Sequence, residues 1–357
     1  MLLTQTDLQD DRLILMLSLA RITFLTLKEK IFFANNIDNS SKLALSSIEE
    51  IETLAGRKIK NRVKWNGQEN LRMAKAALQR CVSRNIGLAL YDDVEYPELL
   101  RQIPDAPFLL FYRGNVDALQ GRSVSVVGTR RYTPQGKQAA VTFAYEAAMD
   151  GCNVVSGLAN GIDGCAHQGV INAWFDVQEK ANGKEDVSAF GKTIAVLPSA
   201  IDEIVPYGHK RMAELILKSG GCLISEYEPG MELANFHYVG RNRIIAGLSP
   251  ATVVIEAPAG SGALITADFA VDYNRDVMFH EAAFCSMAEE VSAEVVQDLE
   301  KRFASGGVSK YKLENRPEKF IKDGAPVIKN YKDYCKALAE MPGARSENIV
   351  QQKLFED

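Results

Sequence analysis

The sequence predicts an α/β fold built on a doubly wound, mostly parallel sheet. Within residues 123–279, short apolar runs alternate with amphipathic stretches, as expected for buried parallel strands joined by helices. Glycine-rich or basic turns follow three of the apolar runs, at the strand ends where open α/β sheets bind ligands. A chain of 357 residues is also too long for one small core, so two or three domains are expected.

Residues 1–85 are predicted to form a small helical domain. An apolar stretch begins near Leu13, and residues 46–54 and 70–82 have amphipathic helical spacing. A loop between these helices is marked by four turn-forming residues: Asn36, Asn39, Ser40 and Ser41.

Residues 86–122 are predicted to connect the helical domain to the sheet domain and to pack on the sheet domain. A strand at 86–90, a helical turn at 96–100 and an apolar run at 108–112 precede a turn at Gly114.

Residues 123–340 carry the alternating pattern and are predicted to form one doubly wound domain. The apolar runs predict six strands, at 124–127, 153–155, 193–197, 222–224, 252–255 and 277–279. The stretches between them predict five helices, at 134–149, 161–173, 209–218, 241–248 and 262–273. Residues 178–188 are expected to be a polar surface insertion, and residues 281–319 a charged insertion with one helix and a mobile segment. Residues 324–339 add a strand and a helix, and 341–357 form a polar tail.

Composition bounds the compartment and the ligand class. The six cysteines are scattered without a CxxC pair and the four histidines share no HxxxH spacing, so neither a disulfide framework nor a metal site is expected. No apolar run reaches membrane-spanning length and no secretory signal is evident, so we expect a cytoplasmic protein without a membrane partner. With a net charge of -5, the chain would need a local basic patch to bind a polyanion.

The first turn after a predicted strand holds Gly128, Thr129 and Arg130. Thr133 suits a helix N-cap and Pro134 the first helical position. The turn therefore brings a hydroxyl, a guanidinium and backbone N–H groups to a helix N-terminus, where phosphates bind in open α/β sheets. The alternative is a tight strand-to-helix turn with surface arginines. The spacing is not GxGxxG, so no dinucleotide cofactor is expected, and nothing else indicates a cofactor.

Two glycine-rich turns follow other predicted strands. They contribute six candidate ligand contacts: Ser156, Gly157, Asn160 and Gly161 from one turn, and Ser261 and Gly262 from the other. Glycines permit a ligand to approach the backbone closely. The amide of Asn160 can bond a base or a sugar.

A basic segment, Arg241-Asn242-Arg243, is predicted to open an otherwise apolar helix. Guanidinium groups are hard to desolvate unless an anion meets them, so two of them beside an amide form a receptor for phosphates and base edges. Phe236, just before this segment, is equally compatible with base stacking and with a buried anchor.

The remaining polar residues give no catalytic arrangement. Asp163 and His167 are expected to pair locally, and Glu226 and Glu228 to form salt bridges with arginines, while Asp202 is expected to be a solvated loop charge. No serine has a histidine at a motif-defined spacing and no carboxylate pair is evident. The protein is therefore not expected to be an enzyme.

Five segments together resemble the DprA/Smf family of DNA-processing proteins: 96–107, 123–130, 156–166, 235–249 and 261–267. The resemblance implies an extended Rossmann-like fold, preceded by a SAM-like helical domain, that binds single-stranded DNA as a homodimer. It also implies that the protein protects incoming DNA and helps to load the RecA recombinase in natural transformation or recombination. The implied DNA contacts are Gly128, Thr129, Arg130, Ser156, Gly157, Asn160, Gly161, Phe236, Arg241, Asn242, Arg243, Ser261 and Gly262.

We expect the chain to depart from that family in its N-terminal hairpin at 20–24 and in a charged insertion after 279, and to lack the winged-helix domain after 339. Two other functions remain open. A LOG-like nucleoside monophosphate phosphoribohydrolase would use a PGGxGTxxE motif, but Thr266 occupies the place of its catalytic glutamate. A nucleotide-binding sensor would use the same pocket.

Overall fold

The computed structural model describes residues 2–60, 64–180 and 190–340. Within these ranges the strands, in chain order, are β1 (Gly87–Leu90), β2 (Leu109–Gly114), β3 (Ser123–Val127), β4 (Asn153–Ser156), β5 (Thr193–Val196), β6 (Cys222–Ser225), β7 (Ala251–Val254), β8 (Asp276–His280) and β9 (Val327–Ile328). The α-helices are α1 (Asp11–Ala20), α2 (Leu27–Asn36), α3 (Ser40–Leu45), α4 (Ile48–Ala55), α5 (Gly67–Ser83), α6 (Glu98–Arg101), α7 (Pro134–Met149), α8 (Ile162–Lys180), α9 (Lys210–Lys218), α10 (Asn235–Gly247), α11 (Gly262–Asp272), α12 (Ser286–Ala304), α13 (Lys310–Glu314), α14 (Pro317–Lys322) and α15 (Tyr331–Glu340). Residues 181–188 of the expected surface insertion and the expected tail at 341–357 lie outside the described residues.

These strands form one sheet in the order β1-β2-β6-β5-β4-β3-β7-β8-β9. From β6 to β9 all neighbouring strands are parallel, whereas β1 and β2 add an antiparallel edge. The chain winds outward from β3 to β6 and then returns to place β7 on the other side of β3, so the topological switch point lies between β3 and β7. The predicted α/β fold with a doubly wound, mostly parallel sheet is therefore confirmed.

Strand β3 shows why the central strands are apolar. All five of its residues are buried, because α7, α8 and α15 cover one face of the sheet while α10 and α11 cover the other. Its polar side chains are satisfied internally: the Ser125 Oγ donates to the Ile245 carbonyl oxygen at 2.7 Å. The result is a sheet with helices on both faces.

Helix α7 begins where the local sequence predicts. Thr133 caps it by accepting a hydrogen bond from the Gly136 backbone N at 3.0 Å, and Pro134 is its first residue. Proline is favoured there because the missing N–H would have no partner within the helix. The observed bounds equal the predicted ones.

Helix α10 begins at Asn235, six residues before the predicted start at Arg241. Its N-cap position is occupied by Ala234, which has no capping side chain. The Ala234 N–H instead donates to Nδ1 of His237 at 3.2 Å. The predicted boundary is wrong because this start lacks the usual Ser, Thr, Asp or Asn signal.

Other boundaries also differ from the sequence-based prediction, most clearly those of α3 and α8. Ser40 and Ser41 are not loop residues but begin α3, because the Asn39 side chain caps that helix by accepting from the Lys42 backbone N at 2.8 Å. Helix α8 continues to Lys180 instead of ending near 173.

The helices α1–α5 pack together and against β2 and β6. Arg84 forms an ion pair with Asp202, and Arg21 forms one with Glu228, in the loops after β5 and β6. The prediction that Asp202 is solvated is wrong, since its side chain is 9% exposed and also accepts from the Gly230 N at 3.0 Å. The helical region is therefore joined by an ion pair to the loop between β6 and α10. The domain boundaries proposed from the sequence stay predictions.

Candidate functional site

A cleft of about 540 Å³ opens at the sheet edge where β3 and β7 end. These two strands flank the switch point, so the connections that follow them run to opposite faces of the sheet and leave room between them. The turn after β3, the face of α10 and the turn before α11 all contribute to the cleft. Seven of the sequence-predicted residues line it: Gly128, Thr129, Arg130, Arg241, Asn242, Ser261 and Gly262.

Arg241 is the cationic centre of this cleft. Its side chain is 5% exposed, yet neither Nε nor Nη1 has a hydrogen-bond partner within the described part of the chain. The Oδ2 atom of Asp163 lies 3.8 Å from Nη1, which is close enough for ionic attraction but too far for a hydrogen bond. Burial lowers the pKa of Arg241, and the charge of Asp163 opposes that change. Buried donors without partners cost stability, so this guanidinium is suited to an anion that enters the cleft.

Gly157 makes room for the Arg241 guanidinium. A Cβ atom at position 157 would lie 1.2 Å from Nη1 of Arg241. The Gly157 N–H also donates to Oδ2 of Asp163 at 3.2 Å, which holds the carboxylate opposite the arginine. Burial raises the pKa of Asp163, and the charge of Arg241 opposes the rise. Gly157 therefore leaves space for the Arg241 guanidinium and positions the carboxylate that faces it.

Gly128 and Gly161 are required by internal packing. A Cβ at Gly128 would lie 2.5 Å from Cγ1 of Ile162, and one at Gly161 would lie 2.2 Å from the Thr129 carbonyl oxygen. Gly161 also has a φ of 98°, in the region that glycine adopts most readily. Both glycines let α8 start close behind the turn after β3.

Two predicted hydroxyl contacts make internal hydrogen bonds. The Thr129 Oγ1 accepts from the Arg131 N at 3.1 Å, and the Thr129 N–H donates to the Glu256 carbonyl oxygen at 2.7 Å. The Ser156 Oγ is fully buried and donates to the Val126 carbonyl oxygen at 2.7 Å. Thr129 lines the cleft, whereas Ser156 supports the sheet beneath it.

A smaller cleft of about 60 Å³ adjoins the first and shares Arg130, Tyr238 and Arg241 with it. Asn160 and Gly157 line this second cleft. The Arg130 guanidinium carbon lies 5.6 Å from the centroid of the Tyr238 ring, within the range of a cation–π interaction. The two clefts therefore meet at Arg241.

Helices α10 and α11 are linked beside the main cleft. The Asn242 Nδ2 donates to the Gly262 carbonyl oxygen at 3.2 Å, and Ser261 caps α11 by accepting from the Ala263 N at 3.4 Å. A Cβ at Gly262 would meet no atom within 4 Å. The first turn of α11 is therefore open to the cleft, and its N-terminal N–H groups favour a negative charge there.

Arg243 and Phe236 line neither cleft, as is also true of Ser156 and Gly161. The Nη2 atom of Arg243 donates to the two carboxylate oxygens of Glu226 at 2.6 and 2.7 Å, and its Nε lies 3.6 Å from Asp105. Phe236 is 72% exposed, so it is not a buried anchor. The prediction that the basic segment forms a helix mouth is wrong, because α10 begins earlier and a step of two residues rotates Arg243 by about 200° from Arg241.

Asp163 and His167 do not pair with each other, contrary to the prediction. The His167 Nε2 accepts from the Leu158 N at 3.2 Å, which leaves Nδ1 to donate to the Thr193 Oγ1 at 2.6 Å. This pattern requires the neutral ring, and burial lowers the pKa of His167 to about 3. The two side chains instead hold neighbouring residues of one turn, Asp163 at Gly157 and His167 at Leu158.

The main cleft also contains residues that the sequence analysis missed. Tyr238 precedes Arg241 by three residues and so shares its helix face, a spacing that could have revealed it. Helices α12 and α13 of the charged insertion contribute a wall to the cleft, formed by Val295, Asp298, Leu299, Arg302 and Lys312. No local signal indicates that this segment folds against the cleft.

Thr266 and Glu256, two further polar residues near the cleft, make hydrogen bonds within the protein. Thr266 is buried and its Oγ1 donates to the Gly262 carbonyl oxygen at 3.4 Å. The Glu256 carboxylate accepts from the Thr133 N at 3.0 and 3.2 Å.

Among the described residues, no group of three His, Cys, Asp or Glu side chains is placed to hold a metal ion. Across the same ranges, no helix is long and apolar enough to cross a membrane.

Comparison with known proteins gives consistent matches. The family described as DNA recombination-mediator protein A matches residues 87–339. Protein Smf of Borreliella burgdorferi is 30% identical over 270 residues, 76% of this chain and 80% of the relative. Protein Smf of Synechocystis is 31% identical over 327 residues, 88% of this chain and 77% of the relative. The DNA processing protein DprA of Streptococcus pneumoniae is 36% identical over 218 residues, 61% of this chain and 71% of the relative.

Two solved structures share the fold. The X-ray structure of DNA processing protein A from Streptococcus pneumoniae has a TM-score of 0.63 and 26% identity, covering 95% of this chain and 99% of that protein. The DNA processing protein A of Helicobacter pylori, whose single-stranded DNA binding mode has been described, has a TM-score of 0.51. It is 22% identical and covers 71% of this chain and 96% of that protein, and it shows a common fold.

Proposed function

The chain belongs to the family of DNA recombination-mediator protein A, as its resemblance to the DprA/Smf proteins predicted, and we propose that its cleft binds single-stranded DNA. In this proposal the protein protects incoming single strands, forms a homodimer and helps to load the RecA recombinase during natural transformation or recombination. It acts in the cytoplasm by binding, without catalysing a reaction. The resemblance supports these finer features, and the geometry of the cleft supports the DNA site.

The observation that carries the proposal is the state of Arg241. A guanidinium that is almost fully buried, with Nε and Nη1 unpaired within the described residues, gains from a ligand that accepts hydrogen bonds from it. Phosphate oxygens accept strong, charge-assisted hydrogen bonds from guanidinium groups. The charge of Asp163 favours the charged form of Arg241 while the cleft is empty, and its separation of 3.8 Å from Nη1 is too long for a hydrogen bond.

The surroundings of Arg241 favour a polynucleotide over an isolated phosphate. The two adjoining clefts meet at Arg241, so a chain can pass from one to the other. Asn160 and Asn242 provide amides for base edges, and the Tyr238 ring provides a surface on which a base can stack. A single strand can bend into this recess, whereas the phosphates of a duplex lie on a stiff rod.

We propose that eleven of the predicted contacts divide into two groups. Those that meet DNA directly are Thr129, Arg130, Asn160, Arg241, Asn242, Ser261 and Gly262. Those that shape the site from beneath are Gly128, Ser156, Gly157 and Gly161. Phe236 is proposed as a peripheral stacking surface, and Arg243 as a residue that holds α10 through Glu226.

The test is fluorescence anisotropy with single-stranded and duplex oligonucleotides of one sequence across a salt series. We expect preference for the single strand, and we expect Arg241→Gln to weaken binding and to reduce the salt slope by about 0.7, the value for one phosphate contact on a single strand. Arg122→Gln is the matched control, because Arg122 is exposed and lines neither cleft. Absence of single-strand binding by the wild type, or unchanged binding by a folded Arg241→Gln variant, contradicts the proposal.

A second candidate is a sensor that binds a free nucleotide. It is favoured by the volume of the main cleft, about 540 Å³, which is within the range of roughly 300–1,000 Å³ typical of small-molecule sites. Calorimetry with a mononucleotide and with an oligonucleotide separates the two candidates. Tighter binding of the mononucleotide would select the sensor.

A further inference from the structure

Helix α12 presents one face to the main cleft. Val295, Asp298, Leu299 and Arg302 line it, and their spacings of three, one and three residues place them on a single helix face. Lys312 of α13 lines the cleft beside them. These five residues are called the insertion wall.

The insertion wall is fixed against the turn after β7. The Asn315 carbonyl oxygen accepts from the Gly260 N at 2.8 Å. The Asn315 Nδ2 and the Tyr311 hydroxyl both donate to Oδ2 of Asp268, at 2.5 and 2.6 Å. The Leu299 Cδ1 lies only 3.3 Å from where a Gly260 Cβ would be. The segment is therefore attached to α11 and to the turn before it, the elements that form the opposite edge of the cleft from β3.

The charges that the insertion wall turns to the cleft are net positive. The Asp298 Oδ2 lies 3.6 Å from Nη1 of Arg302, so the negative charge of the single acidic residue of the wall is balanced by an arginine of the same wall. The Lys312 Nζ has no hydrogen bond or ion pair with the residues that the structure describes. The other acidic side chains of α12 do not line this cleft: Glu289, Glu290, Glu294 and Glu300.

We propose that the insertion wall is a second phosphate subsite, at which Arg302 and Lys312 hold the backbone of a strand whose neighbouring phosphate is held by Arg241. This inference rests on the proposed function, because it extends the same cleft along the same ligand. It assigns a role to the charged insertion at 281–319.

The two subsites differ in what they contribute. Arg241 is buried and offers directed donors, so it fixes the position of one phosphate. Arg302 and Lys312 have long, exposed side chains, which remain hydrated and act mainly by displacing counterions from the strand. Contacts of that kind raise affinity without reading sequence. The insertion wall therefore acts on a ligand that carries several phosphates and has little effect on one that carries a single phosphate.

The experiment compares two double variants with the same change in net charge. Arg302→Gln/Lys312→Gln removes the cations of the wall. Lys301→Gln/Lys310→Gln removes one exposed cation from each of the same two helices, and neither of these lysines lines the cleft. Binding of a thymidine oligonucleotide of about 16 nucleotides, near the upper end of single-strand site sizes, is measured by anisotropy across a salt series. Binding of thymidine monophosphate is measured by calorimetry, and thermal melting checks the fold.

We expect the wall variant to weaken oligonucleotide binding and to reduce the salt slope by about 1.4, since each phosphate contact contributes about 0.7. The control variant keeps the wild-type slope, and both variants bind the monophosphate like the wild type. An unchanged slope overturns the inference, as does tighter oligonucleotide binding by the wall variant, which would mean that the wall hinders access to the cleft. In either case, binding that still depends on Arg241 upholds the proposed function. A wild-type protein that binds no oligonucleotide overturns both.

Discussion

Arg241 and Arg243 lie two residues apart on α10, yet the helix turns them toward different surroundings. Arg241 faces the cleft, where two of its donors are unpaired among the described residues and Asp163 stays 3.8 Å away. Arg243 faces away and donates to both carboxylate oxygens of Glu226. Both side chains are largely buried. The helical period, not residue type or closeness in sequence, therefore separates an arginine that faces the cleft from one that is paired with a carboxylate outside it.

The largest expected effect comes from Gly157→Ala, which removes the space that the Arg241 guanidinium occupies. The new Cβ would lie 1.2 Å from Nη1, so the guanidinium must leave its position. Because the clash involves the end of a flexible side chain, we expect the fold to survive. Single-stranded DNA binding should weaken by about 3 kcal/mol, roughly a hundredfold in Kd, as for lost hydrogen bonds to a charged group.

Gly208→Ala is the matched control for this change. A Cβ at Gly208 meets nothing within 4 Å and Gly208 lines neither cleft, so binding should change far less than in Gly157→Ala. In a double-mutant cycle, Gly157→Ala should add little to Arg241→Gln, because both act on one guanidinium. Full additivity of the two losses would show that Gly157 acts independently of Arg241.

The other face of α10 is tested by Arg243→Gln. This change leaves Glu226 without its two charged hydrogen bonds, so we expect the free energy of unfolding to fall by about 2–3 kcal/mol. DNA affinity of the folded variant should match the wild type. Denaturant unfolding and anisotropy on the same sample measure the two quantities, and a variant with normal stability and weakened binding would reverse the assignment of the two arginines.

Features that depend on local forces or on the sheet can be predicted from the sequence. The start of α7 follows from the neighbouring residues Thr133 and Pro134. The turns after β3 and β7 could be placed together because the parallel strands end at one edge of the sheet. The register of α10 could not be read, because Ala234 gives no capping signal and the start rests on a bond from its N–H to His237. The wall from α12 depends on contacts between Asp268 and Asn315, 47 residues apart, which no short pattern encodes.

The turn beneath the cleft face of α10 gives a pH prediction. His167 is neutral in the folded protein, where burial lowers its pKa from 6.5 to about 3. The unfolded chain therefore binds the extra proton more readily, so the stability present above about pH 6.5 is lost as the pH falls toward 3. Between about pH 7.5 and pH 5 this loss is about 2 kcal/mol.

The share of His167 is read as a difference between the wild type and His167→Gln in denaturant unfolding at several pH values. The difference is needed because burial raises the pKa of Asp163 and of Glu256, and these groups stabilise the folded state on acidification. The variant should be less stable near pH 7.5 and should lose less stability on acidification. Parallel pH profiles for the two proteins would show that the His167 ring does not control this turn.

The smallest expected effect concerns Phe236, which lies on the first turn of α10 and outside both clefts. Its ring is 72% exposed and packs edge-on against His237, with the ring centroids 4.5 Å apart. Phe236→Ala should leave the free energy of unfolding nearly unchanged, since little apolar area is lost from the core. If a base stacks on this ring, binding weakens by about 1 kcal/mol, the lower end of the range for aromatic stacking, and Phe236→Tyr retains the wild-type affinity. An alanine variant with wild-type affinity would confine DNA recognition to the cleft face of α10, on which Tyr238 and Arg241 lie.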